Sequence, residues 1–158
     1  MTLTPFPSNR LALALVLLTS CSHAPAPRPM VYTPDFTQSV FLEEVAETTA
    51  NASIGDLDGD GDPDIVLAKG RHWPLHDLVL LNSGTGGFDE RYPLDASADR
   101  SYTTALADLD GDGDLDLVVG NDKPDEKRIH FNDGRGRFRL AGTFGAAGWA
   151  TRNVTVAD

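Results

Sequence analysis

The chain has 158 residues, of which 24 are acidic and 13 basic, for a formal net charge of −11, and it contains one cysteine. That length suits one ordinary domain, and a single cysteine excludes a disulfide within the chain. No basic patch with interleaved aromatics occurs, which argues against nucleic acid as a partner.

The first stretch, residues 1–21, reads MTLTPFPSNRLALALVLLTSC, with one arginine, an apolar run from Leu11 to Leu18, then small residues and Cys21. The run is too short to span a bilayer as a helix and fits the apolar part of an export signal. The tetrapeptide Leu18–Cys21 resembles the lipobox of bacterial lipoproteins. In that family the signal is removed before the cysteine, which then carries lipid. The resemblance implies lipidation at Cys21 and a protein anchored in the bacterial cell envelope, at the outer membrane or cell surface in a Gram-negative cell. An ordinary secretory signal or a short N-terminal anchor is the alternative. Residues 22–30 form a Pro/Ala-rich tether, extended because alternating proline denies the chain helix or sheet. The folded region is expected over residues 31–158, and His23 reads as a solvated tether residue. A small exported domain without a disulfide needs another stabiliser.

The next feature is GDLDGDGDPDIVLA, Gly55–Ala68, and it returns 52 residues later as ADLDGDGDLDLVVG, Ala107–Gly120. These two stretches hold Asp56, Asp58, Asp60, Asp62 and Asp64, then Asp108, Asp110, Asp112, Asp114 and Asp116. Outside them 14 acidic residues face 13 basic ones, so the acidity belongs to two sites rather than to the whole surface.

A loop that curls round a point brings the side chains at its positions 1, 3 and 5 inward. In the first loop these are Asp56, Asp58 and Asp60, and in the second Asp108, Asp110 and Asp112. A carbonyl at position 7 (Asp62, Asp114) and a carboxylate at position 9 (Asp64, Asp116) close the shell, and glycine at position 6 permits the sharp turn. An all-oxygen, carboxylate-rich shell suits Ca²⁺; Mg²⁺ demands a tighter octahedron, and zinc or copper would want His or Cys. Carboxylates a few ångströms apart repel by ~1 kcal/mol in water and ~4 kcal/mol near a protein surface, so the arrangement is costly without a cation. A solvated acidic turn does not explain two copies with one spacing and the same flanking strands. A helix–loop–helix calcium hand would place glutamate at position 12, where Leu67 and Val119 stand.

Between the two loops, GRHWPLHD (Gly70–Asp77) spaces His72 and His76 four apart, but Pro74 breaks the helix that would make them a metal pair. The segment reads as an inter-strand loop, with Trp73 a candidate ligand contact. The run LLNSGTGGF (Leu80–Phe88) matches HFNDGRGRF (His130–Phe138) at a distance of 50 residues. Phe36, Phe88 and Phe138 each precede an aspartate (Asp56, Asp108, Asp158) by 20, and Leu42, Leu94 and Phe144 follow those aromatics by six. Strands are expected at TTALAD and DLDLVVG, with Leu115, Leu117 and Val119 on one face, at Lys127–Asp133, and at Arg137–Phe144 after the NDGRG turn. The final TRNVTVAD echoes Ser101–Asp108, which sets Asp158 where a third loop would start. Ser83 and Ser101 read as turn or edge residues without a base nearby, so no catalytic residue is expected and the protein reads as a non-enzyme. The patterns NAS at Asn51 and NVT at Asn153 fit glycosylation but mean little in a bacterial lipoprotein.

Four short antiparallel strands in about fifty residues form the pattern of one propeller blade. The constellation D-x-D-G-D-G-x-x-D between strands, followed by N-x-G-x-G-x-F, closely resembles the FG-GAP/VCBS repeat family over residues 36–158. The resemblance implies an all-β fold, a partial β-propeller of two to three four-stranded blades, with Ca²⁺ held in the hairpin between the first two strands. It further implies an exported adhesion or binding protein whose partner is a protein or carbohydrate at the cell surface. Two full loops fall short of a closed ring, so the chain is expected to be a truncated piece. The other functional reading is an accessory repeat domain of a larger exported enzyme.

Overall fold

The computed structural model of the protein describes residues 39–157. Cys21, the signal and tether segments 1–21 and 22–30, Phe36 and Asp158 lie outside the described residues.

Eight strands follow in chain order: β1 (Thr49–Gly55), β2 (Asp64–Lys69), β3 (Leu78–Leu81), β4 (Glu90–Pro93), β5 (Ser101–Ala107), β6 (Asp116–Asn121), β7 (Lys127–Asn132) and β8 (Phe138–Phe144). They form two antiparallel meanders, β1-β2-β3-β4 and β5-β6-β7-β8, and no helix occurs among the described residues. The fold is all-β, two successive four-stranded blades of a partial propeller. The expected strands from TTALAD to RFRLAGTF coincide with β5 to β8.

The pairing repeats as the sequence does. Gly55 pairs with Asp64 and Ala107 with Asp116, closing each aspartate loop as the hairpin between a blade's first two strands. The register slips at the start of that hairpin in both blades, between Thr49 and Asn51 and between Ser101 and Thr103. The sharp turn asks for glycine at position 6, and Gly61 and Gly113 take φ of 93° and 97°, where a side chain would be strained. In the NSGTG and NDGRG turns, a Cβ on Gly84 would collide with the Asp62 carboxylate and one on Gly134 with that of Asp114. The turn after β3 or β7 is therefore packed directly against its own blade's aspartate loop.

The strand faces explain why two sheets associate. Leu57, Val66, Val79, Leu81 and Leu94 of the first blade cluster with Leu117 and Val119 of the second, and Leu106, Leu115, Phe138 and Tyr92 pack against them. The expected face of Leu115, Leu117 and Val119 is this joint. Each buried Leu or Val contributes about 1.5–3 kcal/mol, so the joint is the apolar core that both blades share. Polar bonds cross it too, among them Ser53 Oγ to the Thr104 carbonyl at 2.9 Å.

The structure refines one placement. Ser101 opens β5, the edge strand of its sheet, yet it is wholly buried. Its hydroxyl is drawn inside by hydrogen-bond partners from both blades, which no local sequence signal announces.

Candidate metal centres in two matching loops

Each aspartate loop is built from its own backbone amides outward. In the first, Asp56 Oδ1 accepts from Gly59 N at 2.8 Å and Oδ2 from Gly61 N at 3.1 Å. Asp58 accepts from Asp60 N at 3.2 Å, and Asp60 from Asp62 N at 2.9 Å. The second loop repeats the scheme bond for bond. Asp108 accepts from Gly111 N at 2.7 Å and Gly113 N at 3.1 Å, Asp110 from Asp112 N at 3.3 Å, and Asp112 from Asp114 N at 3.0 Å. A short side chain bonding the amide two residues on is the local chemistry that makes aspartate a turn residue.

The carboxylate at position 9 has a different environment. Asp64 and Asp116 are fully buried. Asp64 holds Leu57 N at 2.7 Å with one oxygen and Asn82 N at 2.7 Å with the other. Asp116 likewise holds Leu109 N at 2.8 Å and Asn132 N at 2.9 Å. One side chain thus ties the start of the loop to the end of the blade's third strand. Sequence reasoning named these aspartates as ligands and missed this structural role; the signal was the recurring asparagine that follows each loop.

The structure brings oxygens of Asp56, Asp58 and Asp64 within 4.8 Å of one another, and those of Asp108, Asp110 and Asp116 equally close. Asp60, Asp62, Asp112 and Asp114 fall outside these two clusters, with Asp62 and Asp114 beside the glycine turns described above. Each three-carboxylate cluster could hold a metal ion. The donor set is oxygen alone, which fits a hard cation. The charges are also uncompensated: burial and then the carboxylates of Asp64, Asp60 and Asp56 raise Asp58 above the usual range, against the Asp60 amide. Loss of hydration, followed by the charges of Asp112 and Asp116, raises Asp110. A cation between the three groups would remove that repulsion.

The histidines expected in the β2–β3 connection go separate ways. His72 Nδ1 lies 3.0 Å from the Tyr102 hydroxyl, and His76 Nδ1 lies 2.8 Å from the Ser97 carbonyl. Trp73 stands exposed.

Two matches to the FG-GAP-like repeat model cover residues 56–119 and 108–158, and each begins at the first aspartate of a loop. The chain belongs to the FG-GAP-like repeat family. No curated protein and no solved structure matches it. Each match starts directly after a blade's first strand, and the first runs on through the second loop into β6.

Proposed function

We propose that this chain is an exported, lipid-anchored repeat protein whose two loops bind Ca²⁺, and that it serves as a non-catalytic binding or adhesion module at the bacterial cell envelope. The observation that carries the reading is the duplicate convergence of Asp56, Asp58 and Asp64 and of Asp108, Asp110 and Asp116 in a chain of FG-GAP-like repeats. In each loop the first and third aspartates would contribute carboxylate oxygens and the ninth would hold the loop closed while offering a remaining lone pair. Asp60 and Asp112 at position 5, and the carbonyls of Asp62 and Asp114, would complete the shell. Calcium supplies positive charge there and no chemistry of bond making. The exposed side chain of Trp73 is the candidate contact for a protein or carbohydrate partner.

Calorimetric titration of the full-length chain with Ca²⁺ tests the metal assignment. Two binding events are expected, with Asp110→Ala removing the second and Asp58→Ala the first; heat no greater than that of an equal Mg²⁺ titration would refute it. Growth of cells with a fatty-acid analogue tests the anchor. Wild type should be labelled and Cys21→Ser unlabelled, and an unlabelled wild-type protein in the medium would contradict the lipid.

A further inference from the structure

At one end of the joint between the blades, a hydroxyl has fewer protons than acceptors. Ser101 is wholly buried, and its Oγ lies 2.8 Å from Asp77 Oδ2 and 2.8 Å from Asn121 Oδ1. A serine hydroxyl has one proton to give. The Asn121 amide is fixed from its far end, because Nδ2 donates to the Glu126 carbonyl at 2.7 Å; turned over, it would set oxygen against oxygen. The second Asp77 oxygen is already taken by Lys69 N at 2.7 Å. If Asp77 is ionised, one of the two Ser101 contacts sets lone pair against lone pair where water does not reach, and such a buried mismatch is costly. A proton on Asp77 resolves it. Asp77 donates to Ser101, Ser101 to Asn121, and Asn121 to the Glu126 carbonyl.

The geometry points to Asp77 being a neutral carboxylic acid while the joint is closed, the head of a one-directional hydrogen-bond chain that clasps the first blade to the second and loosens when Asp77 ionises. Asp77 closes the β2–β3 connection of the first blade, whereas Ser101 and Asn121 belong to β5 and β6 of the second, so the chain of bonds crosses the joint.

The surroundings agree. Among the described residues, the cations near Asp77 are engaged elsewhere. Lys69 gives Asp77 its backbone amide but sends Nζ to Glu43 and Glu47. Arg128 of β7 pairs with Asp95 and Asp99, His130 with Asp95, and Arg100 with Asp125. The charges that act on Asp77 from the β4–β5 connection are those of Asp99 and Asp95, both negative. Burial above all pushes its carboxyl up to about 7, against the bonds from Lys69 N and Ser101 and with the help of Asp99 and Asp95. The second blade carries Lys127 fifty residues on from Asp77, and that amine donates to the Asp125 and Ala146 carbonyls, each at 3.2 Å. The proton-bearing clasp therefore belongs to this joint alone among the described residues.

The test uses the full-length chain at fixed calcium. The Asp77 carboxyl, assigned in a carbon-13 spectrum by its loss in Asp77→Asn, should titrate with a midpoint near neutrality; a midpoint in the ordinary aspartate range near 4 overturns the proposal. Asp77→Asn places an amide donor where the acid proton would sit. A folded value raised above the unfolded 3.8 means that wild type loses stability as pH climbs between the two values and then levels off. Melting temperatures of variant and wild type should therefore agree near pH 4, diverge in favour of Asp77→Asn up to about pH 7, and stay apart above it. A difference that does not change with pH, or a variant that melts lower at pH 8, contradicts the clasp. The Arg71 amide, which donates to the Ser101 carbonyl across the joint at 3.2 Å, supplies a local readout. At pH 8 it should exchange its hydrogen faster in wild type than in Asp77→Asn, and equal rates would overturn the loosening.

Discussion

The two aspartate loops share every internal hydrogen bond, yet they are not equally supported from outside. Leu57, at position 2 of the first loop, is buried to 1 % exposure, and its carbonyl accepts from Asn132 Nδ2 and from Gly136 N of the second blade, each at 2.8 Å. Leu109, its counterpart in the second loop, is only half-buried. The first loop is thus gripped by hydrogen bonds from the following blade, and among the described residues the hydrogen bonds of the second come from its own blade. The loop's shape is a local property of the repeat, while its rigidity depends on the neighbour.

The largest effect expected on this comparison comes from removing what the loops share. Asp64→Ala or Asp116→Ala strands two amides at once, one buried and one half-buried, and each orphaned group costs about 1–3 kcal/mol. Chemical denaturation should register a loss of about 2–5 kcal/mol for either variant, enough to unfold a marginal domain. A loss under ~1 kcal/mol would mean that the ninth aspartate is not the tie that the geometry describes.

Next come the two asparagines, which separate the loops. Asn132 Nδ2 reaches both the Leu57 and Leu115 carbonyls, at 2.8 and 3.2 Å, whereas among the described residues Asn82 Nδ2 reaches only the Pro63 carbonyl, in an exposed position, at 3.2 Å. Asn132→Ala should cost about 1–3 kcal/mol and Asn82→Ala about 1 kcal/mol or less by the same measurement. Equal losses would erase the distinction between a gripped and an ungripped loop.

The smallest effect concerns pH. The second blade carries His130 where the first carries Leu80, and His130 sits buried against Asp95 at 2.9 Å. Burial lowers its affinity for a proton below the ordinary 6.5, and the Asp95 carboxylate only partly opposes that. A folded value depressed below the unfolded one means that the unfolded chain takes up the proton first. Stability is full above about 6.5 and falls as pH drops below it. His130→Leu, which makes the second blade resemble the first, should flatten that slope in melts taken between pH 7 and pH 5. An unchanged slope would assign the acid sensitivity to other groups.

Much of the blade was legible because its signals are local and doubled. The alternating Leu115, Leu117 and Val119 announced one buried face of β6, and the glycines of NDGRG announced the turn before β8. Spacing marked the aspartates at positions 1, 3, 5 and 9 as one inward set, of which the structure brings 1, 3 and 9 together. What bridges the two blades was not legible. The grip of Asn132 and Gly136 on Leu57 spans more than seventy residues, and the complete burial of Ser101 and Lys69 depends on sheet-to-sheet packing that no short window encodes. Position 9 shows the same limit on a smaller scale. Its spacing marks a carboxylate turned inward, but only the fold reveals that both its oxygens already hold backbone amides.

The most direct test of the account is a thermal melt of the full-length chain in chelator, Ca²⁺ and Mg²⁺ at fixed ionic strength. Extracellular calcium modules bind at ~10⁻⁴–10⁻³ M, so millimolar Ca²⁺ should stabilise each site by about 0.4–1.4 kcal/mol through mass action. The transition should therefore move up clearly in Ca²⁺ and much less in Mg²⁺. Asp110→Ala should shrink the calcium response while leaving the metal-free melt as high as wild type or higher, because it removes one of the crowded charges. Superimposable melts in all three solutions would contradict the account, leaving the aspartates as turn-forming residues whose charges hold no ion.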